Sequence, residues 1–391
     1  MLSMSAFCQR KEIAQAKVNV KDGKNLAQAE QSMAALLADS ANRGNEKIWL
    51  VLFDAIRKQV EEGNEKFYLK QKYDTAQLFT LTRKMFVVLE GLDSLDATVS
   101  TQKQSKLRYR KKHAEILASH RLNVFNGGAY FMRKGDYSSA YDFFDTYVGT
   151  GKHPLFSGYN YADNDPLLPR AAYMAVYCGM KQCDAEKALR HKTQAENDTA
   201  HWETLYQYLA ETYRMKGDSI EYMAMLEHGA RLFPTSMYFF PRLFDAYYDG
   251  GDMASAQRLA EHAMQVDTAS AVFRYAAGSV YLSIGRYDDC IELCEWLIER
   301  DDRMGGAYLN AGLAYYNKTL VHPQESATKQ AWHDEQIALY RKAMPYLQRS
   351  RLLLPAEKDK WGMPLYSIYF NLNMGKEFDE IEALLQGDTD K

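Results

Sequence analysis

The chain is short of proline, poor in cysteine and without a long apolar run, and each shortage excludes a class of protein. Nine prolines in 391 residues leave room for long helices, since proline costs about 3 kcal/mol in a helix interior. The five cysteines, Cys8, Cys178, Cys183, Cys290 and Cys294, are odd in number and unevenly spaced, which excludes a disulfide framework. Cys290 and Cys294 stand at i, i+4, the spacing of two packing positions on one helix face. No stretch approaches the roughly 18 apolar residues that span a bilayer, because Ile48–Ile56 and Met85–Leu89 are too short. Charge is nearly balanced, 48 basic against 51 acidic residues for a net −3, so neither bulk nucleic-acid binding nor disorder is expected.

Catalytic signatures are missing as well. There is no nucleophile elbow, no glycine loop followed by Lys-Ser or Lys-Thr, and no His-Glu-x-x-His. The chain is therefore expected to be no enzyme and to use no cofactor or metal. His113 with Glu115, His201 with Glu203 and His333 with Glu335 stand two residues apart, a spacing that makes helical side chains diverge, and they read as exposed polar residues. Asp163-Asn164-Asp165 lacks the alternation and downstream glutamate of a calcium loop.

Tyrosine, by contrast, is abundant, with 28 residues, and it is periodic. Tyr213, Tyr247, Tyr281 and Tyr315 lie 34 residues apart, and Gly217, Gly251 and Gly285 follow four residues after the first three. Asp218, Asp252 or Arg286 comes next, so a turn follows each first helix. The same frame places Tyr206, Phe240 and Tyr308 near the start of that helix, with Arg274 as the exception. It then places Leu209, Leu243, Ala277 and Ala311 beside Ala210, Phe244, Gly278 and Gly312, mostly small residues where two helices can approach. Ala256 and Cys290, then Leu226, Ala260 and Cys294, then Gly229, Ala263 and Leu297 mark the inner face of a second helix, and Pro234 closes one unit.

This pattern resembles the tetratricopeptide repeat, a 34-residue antiparallel helix pair. Asn123–Tyr147 matches it through Gly127-Gly128, Phe131, Gly135-Asp136-Tyr137, Ala140, Phe144 and Tyr147. Arg170–Ala195 fits more loosely, with Gly179 at the tyrosine position and Cys183 at the turn glycine. Tyr340, Ala343, Leu347 and Pro355 read as a second helix set off by an insertion, and Trp361 opens a terminal hairpin with its turn at Gly375-Lys376-Glu377-Phe378. Towards the N-terminus, Leu26, Ala29, Met33, Leu36 and Leu37 form one apolar face, while Ile48–Val60 and Asp74–Leu92 form a further pair. The expected fold is all-α, a tetratricopeptide-like solenoid of about six or seven stacked antiparallel helix pairs in a right-handed superhelix. Residues 1–9 read as a signal-peptide remnant, 10–104 as a helical, repeat-like cap, and 105–391 as the solenoid, with insertions near 155–169 and 317–336.

Met1–Gln9 is small and apolar before the abrupt Arg10-Lys11-Glu12, like the tail of a leader. That points to a bacterial, periplasmic or otherwise exported protein, with a cytoplasmic one as the alternative. Bulky Phe7 argues against a lipid on Cys8. Lys103–Lys112 holds six cations and reads as a solvated helix start, so no nucleic-acid partner is expected. The insertions read as binding loops or as surface excursions anchored by Tyr159, Tyr161 or Trp332.

The resemblance implies that the first helix of each pair lines a groove for peptides. Carried onto this chain, the groove positions hold Phe125, Arg170, Tyr173, Tyr177, Glu211, Arg214, Tyr238, Asp245, Tyr248, Tyr275 and Tyr316. The Lys and Asn carboxylate clamp of some relatives is not matched, since its places hold Phe125, Ala129, Tyr173, Tyr177, Gln207 and Glu211. The expected function is a non-enzymatic scaffold that binds a polypeptide in a tyrosine-rich groove. The alternative is an envelope-associated glycan-binding protein that stacks sugars on the same tyrosines.

Overall fold

The structure, a computed structural model, describes residues 2–103, 107–321 and 328–386, the side chains of 2–8 and 103 excepted. Helices account for all of its regular structure among these residues. It divides into two compact units, Met1–Met225 and Leu226–Lys391. The first contains α1 (Leu2–Asp22), α2 (Leu26–Ala38), α3 (Glu46–Tyr68), α4 (Thr75–Lys103), α5 (Arg110–Arg133), α6 (Tyr137–Gly149), a short α7 (Tyr161–Asn164), α8 (Leu168–Lys181), α9 (Ala185–Arg190), α10 (Lys192–Ala195) and α11 (Trp202–Lys216). The division falls inside α12 (Ser219–Leu232). The second unit continues with α13 (Phe239–Asp249), α14 (Met253–Val266), α15 (Ala271–Ser283), α16 (Tyr287–Arg300), α17 (Gly305–Lys318), α18 (Lys329–Leu353), α19 (Lys358–Asn371) and α20 (Gly375–Gln386).

One local device sets most of the hairpins. The peptide N–H of Asp218 donates to the carbonyl of Tyr213, that of Asp252 to Tyr247 and that of Arg286 to Tyr281, at 3.0, 2.9 and 2.8 Å. This six-to-one bond closes a helix when the residue before the donor is left-handed, and Gly217, Gly251 and Gly285 have φ of 75°, 79° and 81°. The aspartate then turns from end to beginning: Asp136, Asp184 and Asp252 accept backbone N–H bonds as N-caps of the next helix. Cys183 holds the same left-handed position at φ 55°, so the looser unit keeps the turn without its glycine.

Close helix approach follows from the small residues. A Cβ on Gly128 would lie 2.7 Å from the Phe144 ring, and one on Gly312 would lie 2.6 Å from Leu347. In the α8–α9 pair, Gly179 stands where other repeats carry tyrosine, and a Cβ there would come within 2.4 Å of the Ala188 backbone nitrogen. The large ring is replaced because the backbones themselves meet. In the second unit, Phe240, Phe273, Ala277, Cys290, Cys294 and Ala311 share one buried core. The two sulfurs are 3.9 Å apart in it, so core packing accounts for both cysteines.

The periodic tyrosines have partners that also repeat. Tyr247 donates to Glu227 at 2.9 Å, Tyr281 to Glu261 at 2.8 Å and Tyr315 to Glu295 at 3.4 Å, each acceptor twenty residues earlier. The three glutamates are themselves 34 residues apart. Each bond runs from the first helix of one pair to the second helix of the pair before it, so the ladder fixes the register between pairs.

Several expectations need correction. Within the two units the described residues form eight helix pairs, four in each, rather than six or seven in all, because 2–22 and 26–38 pair as α1 and α2, and the N-terminal third contributes two pairs. The insertion near 317–336 is shorter than its sequence suggests, since Lys329–Gln336 already forms the first turns of α18, and residues 322–327 lie outside the described residues. Pro355 lies after α18, in a short 3-10 turn. The last hairpin turns at Leu372–Met374, with Asn373 left-handed at φ 53° and Gly375 already helical. Asparagine supplies the turn there because, after glycine, it enters that conformation more readily than most residues. The signal-peptide reading of residues 1–9 covers the first turns of α1, and its side chains up to Cys8 lie outside the described residues.

Two outcomes test this account. Gly179→Ala should destabilise the protein by about 2 kcal/mol, read as a lower melting temperature by circular dichroism. Tyr281→Phe should cost about 1 kcal/mol in denaturant titrations and Glu261→Ala more, because Glu261 also accepts from Gln257 and pairs with Arg286, while Tyr281→Phe should cost little further in the Glu261→Ala background.

Candidate functional site

The groove positions gather most densely on α8 and α11. Pro169 sits in the first turn of α8, where its missing N–H is not needed. The helix then carries Arg170, Tyr173, Tyr177 and Lys181 at intervals of three and four residues, which places them on one face. Opposite them, Tyr208 of α11 stacks on Tyr173 with centroids 5.9 Å apart and meets Tyr177 at 5.1 Å. Tyr137, at the start of α6, meets the Tyr177 ring edge-on at 5.7 Å. The Arg170 guanidinium lies 5.1 Å from the Tyr173 ring and the Lys181 ammonium 5.6 Å from that of Tyr177. A cation therefore stands at each end of a row of rings.

His201 completes the cluster. Its ring lies 5.0 Å from Tyr173, its Nδ1 is 2.9 Å from both Asp198 carboxylate oxygens, and its Nε2 meets Arg170 Nη1. Arginine can only donate, so Nε2 accepts and Nδ1 carries the proton given to Asp198. Asp198 also pairs with Arg170 at 3.6 Å. Burial and the hydroxyl of Tyr137 push the Tyr177 phenol up to about 12, and burial with a hydrogen bond to Tyr173 raises that of Tyr208. These hydroxyls stay protonated and remain hydrogen-bonding groups at any physiological pH.

The remaining predicted positions are placed differently. Phe125 wedges edge-on against Phe144 and Tyr147 at 5.7 and 5.5 Å, a packing contact. Tyr173 is itself only 7% exposed. Glu211 and Arg214 pair with each other at 2.7 Å on α11. In the second unit, Tyr238 lies under the Arg242 guanidinium at 4.1 Å, and Tyr248 bonds Ser283 at 2.8 Å while stacking on Phe244. Asp245 is exposed. Tyr275 occupies the space above Gly306, where a Cβ would lie 2.5 Å from its hydroxyl, and Tyr316 packs on Tyr340 at 6.2 Å. The structure thus brings Arg170, Tyr173 and Tyr177 together with Tyr137, His201 and Tyr208. The last three were missed because they fall outside the groove frame. Only Tyr208 left a signal, the density of tyrosine in Tyr206-Gln207-Tyr208, where it stands partly exposed beside the buried Tyr206.

Other candidate groups are engaged internally. Arg110 grips the buried Asp93 through two bonds of 2.8 and 2.7 Å. Arg108 pairs with Glu46 and Asp96, so the described part of the basic run ties α5 to α4 and α3. Residues 104–106 of that run lie outside the described residues. His113 is not exposed as expected but buried, stacked on Tyr109 at 5.5 Å with Phe53 at 5.7 Å. The helix angle that separates it from Glu115 turns it into the core, and burial lowers its pKa. The insertion after α6 is anchored rather than free. Leu155 and Phe156 are buried, and Arg121 bonds Thr150, Tyr147 and Asp165 while lying 3.9 Å from the Tyr161 ring. Asp165, one of the acids considered for calcium, is engaged by that arginine and by Tyr147 at 2.8 Å.

No family model matches the chain, and no curated protein matches it. Among solved structures it is similar to the C-terminal part of a TPR repeat-containing protein from Cytophaga hutchinsonii, at 13% identity and a TM-score of 0.40, covering 66% of this chain and 92% of that one. A tetratricopeptide repeat protein from Parabacteroides merdae matches at 15% identity and a TM-score of 0.35, covering 62% and 93%. A TPR repeats protein from Bacteroides fragilis matches at 16% identity and a TM-score of 0.29, covering 68% and 98%.

One titratable group stands apart. Burial in α4, reinforced by Asp145, raises the Glu90 carboxyl to about 7, and its Oε1 has no hydrogen-bond partner. A raised acid pKa means that the folded state holds the proton longer, so this stabilisation is complete below about pH 4.5 and is lost as pH rises through about 7. Glu90→Gln should therefore stabilise the protein by about 2–3 kcal/mol at pH 8 and not at pH 4, as read from paired urea titrations.

Proposed function

We propose that this chain of tetratricopeptide-type helix pairs is a non-catalytic scaffold that binds a polypeptide partner across the tyrosine-lined face of α8 and α11. The observation that carries the reading is the row Tyr173, Tyr208, Tyr177 and Tyr137, with Arg170 and Lys181 at its ends. Tyrosine gives a large rigid contact at low entropic cost, and its protonated hydroxyls can meet the backbone of an extended peptide. Because the rings brace one another, little side-chain freedom remains to be lost on binding. The exposed Lys181 ammonium, with Arg170 at the other end already paired to Asp198, suits a partner with an acidic residue beside an apolar stretch. Tyr238 and Tyr248 present similar ring-and-cation or ring-and-hydroxyl surfaces on the second unit.

An exported setting belongs to the same proposal and is supported by the leader-like composition of residues 1–9. No helix among the described residues is long and apolar enough to cross a membrane.

The test is affinity capture from native extracts with wild type and with Tyr177→Ala/Tyr208→Ala, folding being checked by circular dichroism. A polypeptide recovered by wild type should bind the variant with a loss of about 2 kcal/mol or more. Equal recovery by both proteins overturns the reading. Tyrosine fluorescence quenched by oligosaccharides, with no polypeptide recovered, would assign the rings to sugar stacking instead.

A further inference from the structure

The last turn of α3 and the start of its connection to α4 carry the longest run of consecutive exposed large apolar side chains among the described residues. Phe67, Tyr68 and Leu69 are 62%, 86% and 53% exposed. The run is held in a defined turn. The Gln71 N–H donates to the Lys66 carbonyl at 2.9 Å, the Lys70 N–H donates to that of Phe67 at 3.0 Å, and Lys70 is left-handed at φ 54°. Behind the turn, the chain folds back on α3, because Gly63 has no side chain: a Cβ there would lie 2.9 Å from both the Tyr73 ring and Leu78. Asp74 then caps α4 by accepting from the N–H groups of Ala76 and Gln77. The stem is packed and capped while the tip projects.

The tip itself, residues 66–72, carries only positive charge, while the exposed acids Glu61, Glu62, Glu65 and Asp74 stand behind it on the stem. Lys66, Lys70 and Lys72 alternate with the apolar residues, and no acid occurs between Glu65 and Asp74. All three lysines are exposed. Phenylalanine, tyrosine and leucine with flanking lysines are the composition that partitions into a bilayer interface, with the rings at headgroup depth and the ammonium groups at lipid phosphates. Size also favours this occupant over a protein. Three such side chains offer at most about 600 Å², below the roughly 800 Å² that each partner of a stable protein interface contributes. A convex tip also has no concave surround to enlarge that contact.

We propose that the α3–α4 tip is a reversible anchor to an anionic membrane surface, inserting Phe67, Tyr68 and Leu69 while Lys66, Lys70 and Lys72 contact the headgroups. A single tip of this size gives weak, salt-sensitive attachment, enough to hold a scaffold near a bilayer and to let it leave.

Co-sedimentation of the full chain with vesicles tests it, comparing phosphatidylcholine alone with phosphatidylcholine containing about 30 mol% phosphatidylglycerol. Wild type should pellet with the anionic vesicles at low salt and much less with the neutral ones. Phe67→Ser/Tyr68→Ser/Leu69→Ser should weaken binding at least about tenfold, and Lys66→Gln/Lys70→Gln/Lys72→Gln should remove its salt dependence. Both variants should keep the wild-type helical spectrum, since they change exposed residues. Failure of wild type to bind anionic vesicles at low salt, or equal binding by the serine variant, overturns the proposal. So does a concentration-dependent dimer in light scattering that the serine variant abolishes, which would assign the tip to a second copy. The Tyr177→Ala/Tyr208→Ala variant should bind vesicles as wild type does, which separates this inference from the scaffold reading.

Discussion

A pair of helices about thirty residues long has more apolar surface than its two members can hide from each other, and the structure of each unit follows from that shortfall. The second face of a pair must be covered by the next pair, so close approach between helices cannot be relaxed at one place without opening the core at the neighbouring one. This is why glycine recurs against large rings, as at Gly128 with Phe144, and why the position that usually holds tyrosine becomes Gly179 where two backbones meet. It is also why the turns are so uniform. A left-handed residue followed by an aspartate cap lets one helix end and the next begin within two residues, keeping the pair antiparallel and tight.

The aromatic residues divide between two roles under this constraint. Tyr247, Tyr281 and Tyr315 are register elements: their rings fill the space between pairs and their hydroxyls reach a glutamate on the preceding second helix. Their periodicity reports assembly, not recognition. Tyr173 and Tyr177 of α8 and Tyr208 of α11 lie off that register and pack chiefly on one another. In the proposed function such mutually braced rings are set before a partner arrives, which would concentrate binding energy in a few rings rather than in area. The basic segment at the start of α5 shows the opposite outcome, since charge that looks free in sequence is used to hold buried Asp93 and Asp96.

Much of this architecture could be read beforehand because its causes are local. The 34-residue spacing of Tyr213, Tyr247, Tyr281 and Tyr315, the turn glycines and the small residues of the first helices are imposed by one repeating geometry, and each unit states it again. Legibility fails where a unit uses a different residue for the same backbone need, as with Cys183 and Asn373 in the left-handed turns. It fails again in α1, where no apolar face was read and no partner was assigned to the apolar face of α2. The surface proposed for binding was half legible. Arg170, Tyr173 and Tyr177 follow from the repeat frame, whereas Tyr137, His201 and Asp198 come from a helix start and a connecting turn to which the frame assigns no role.

The sequence by itself therefore determined the class of fold, the length of its unit, the turns and the positions of close approach, because those depend on neighbours within a few dozen residues. Only the tertiary structure decided which tyrosines bond glutamate and which stack on one another, that His113 is buried, and that Arg108 and Arg110 are bound to acids from α3 and α4. Each of these depends on a partner from another helix pair, and a side chain's burial and charge environment are properties of that meeting rather than of the residue.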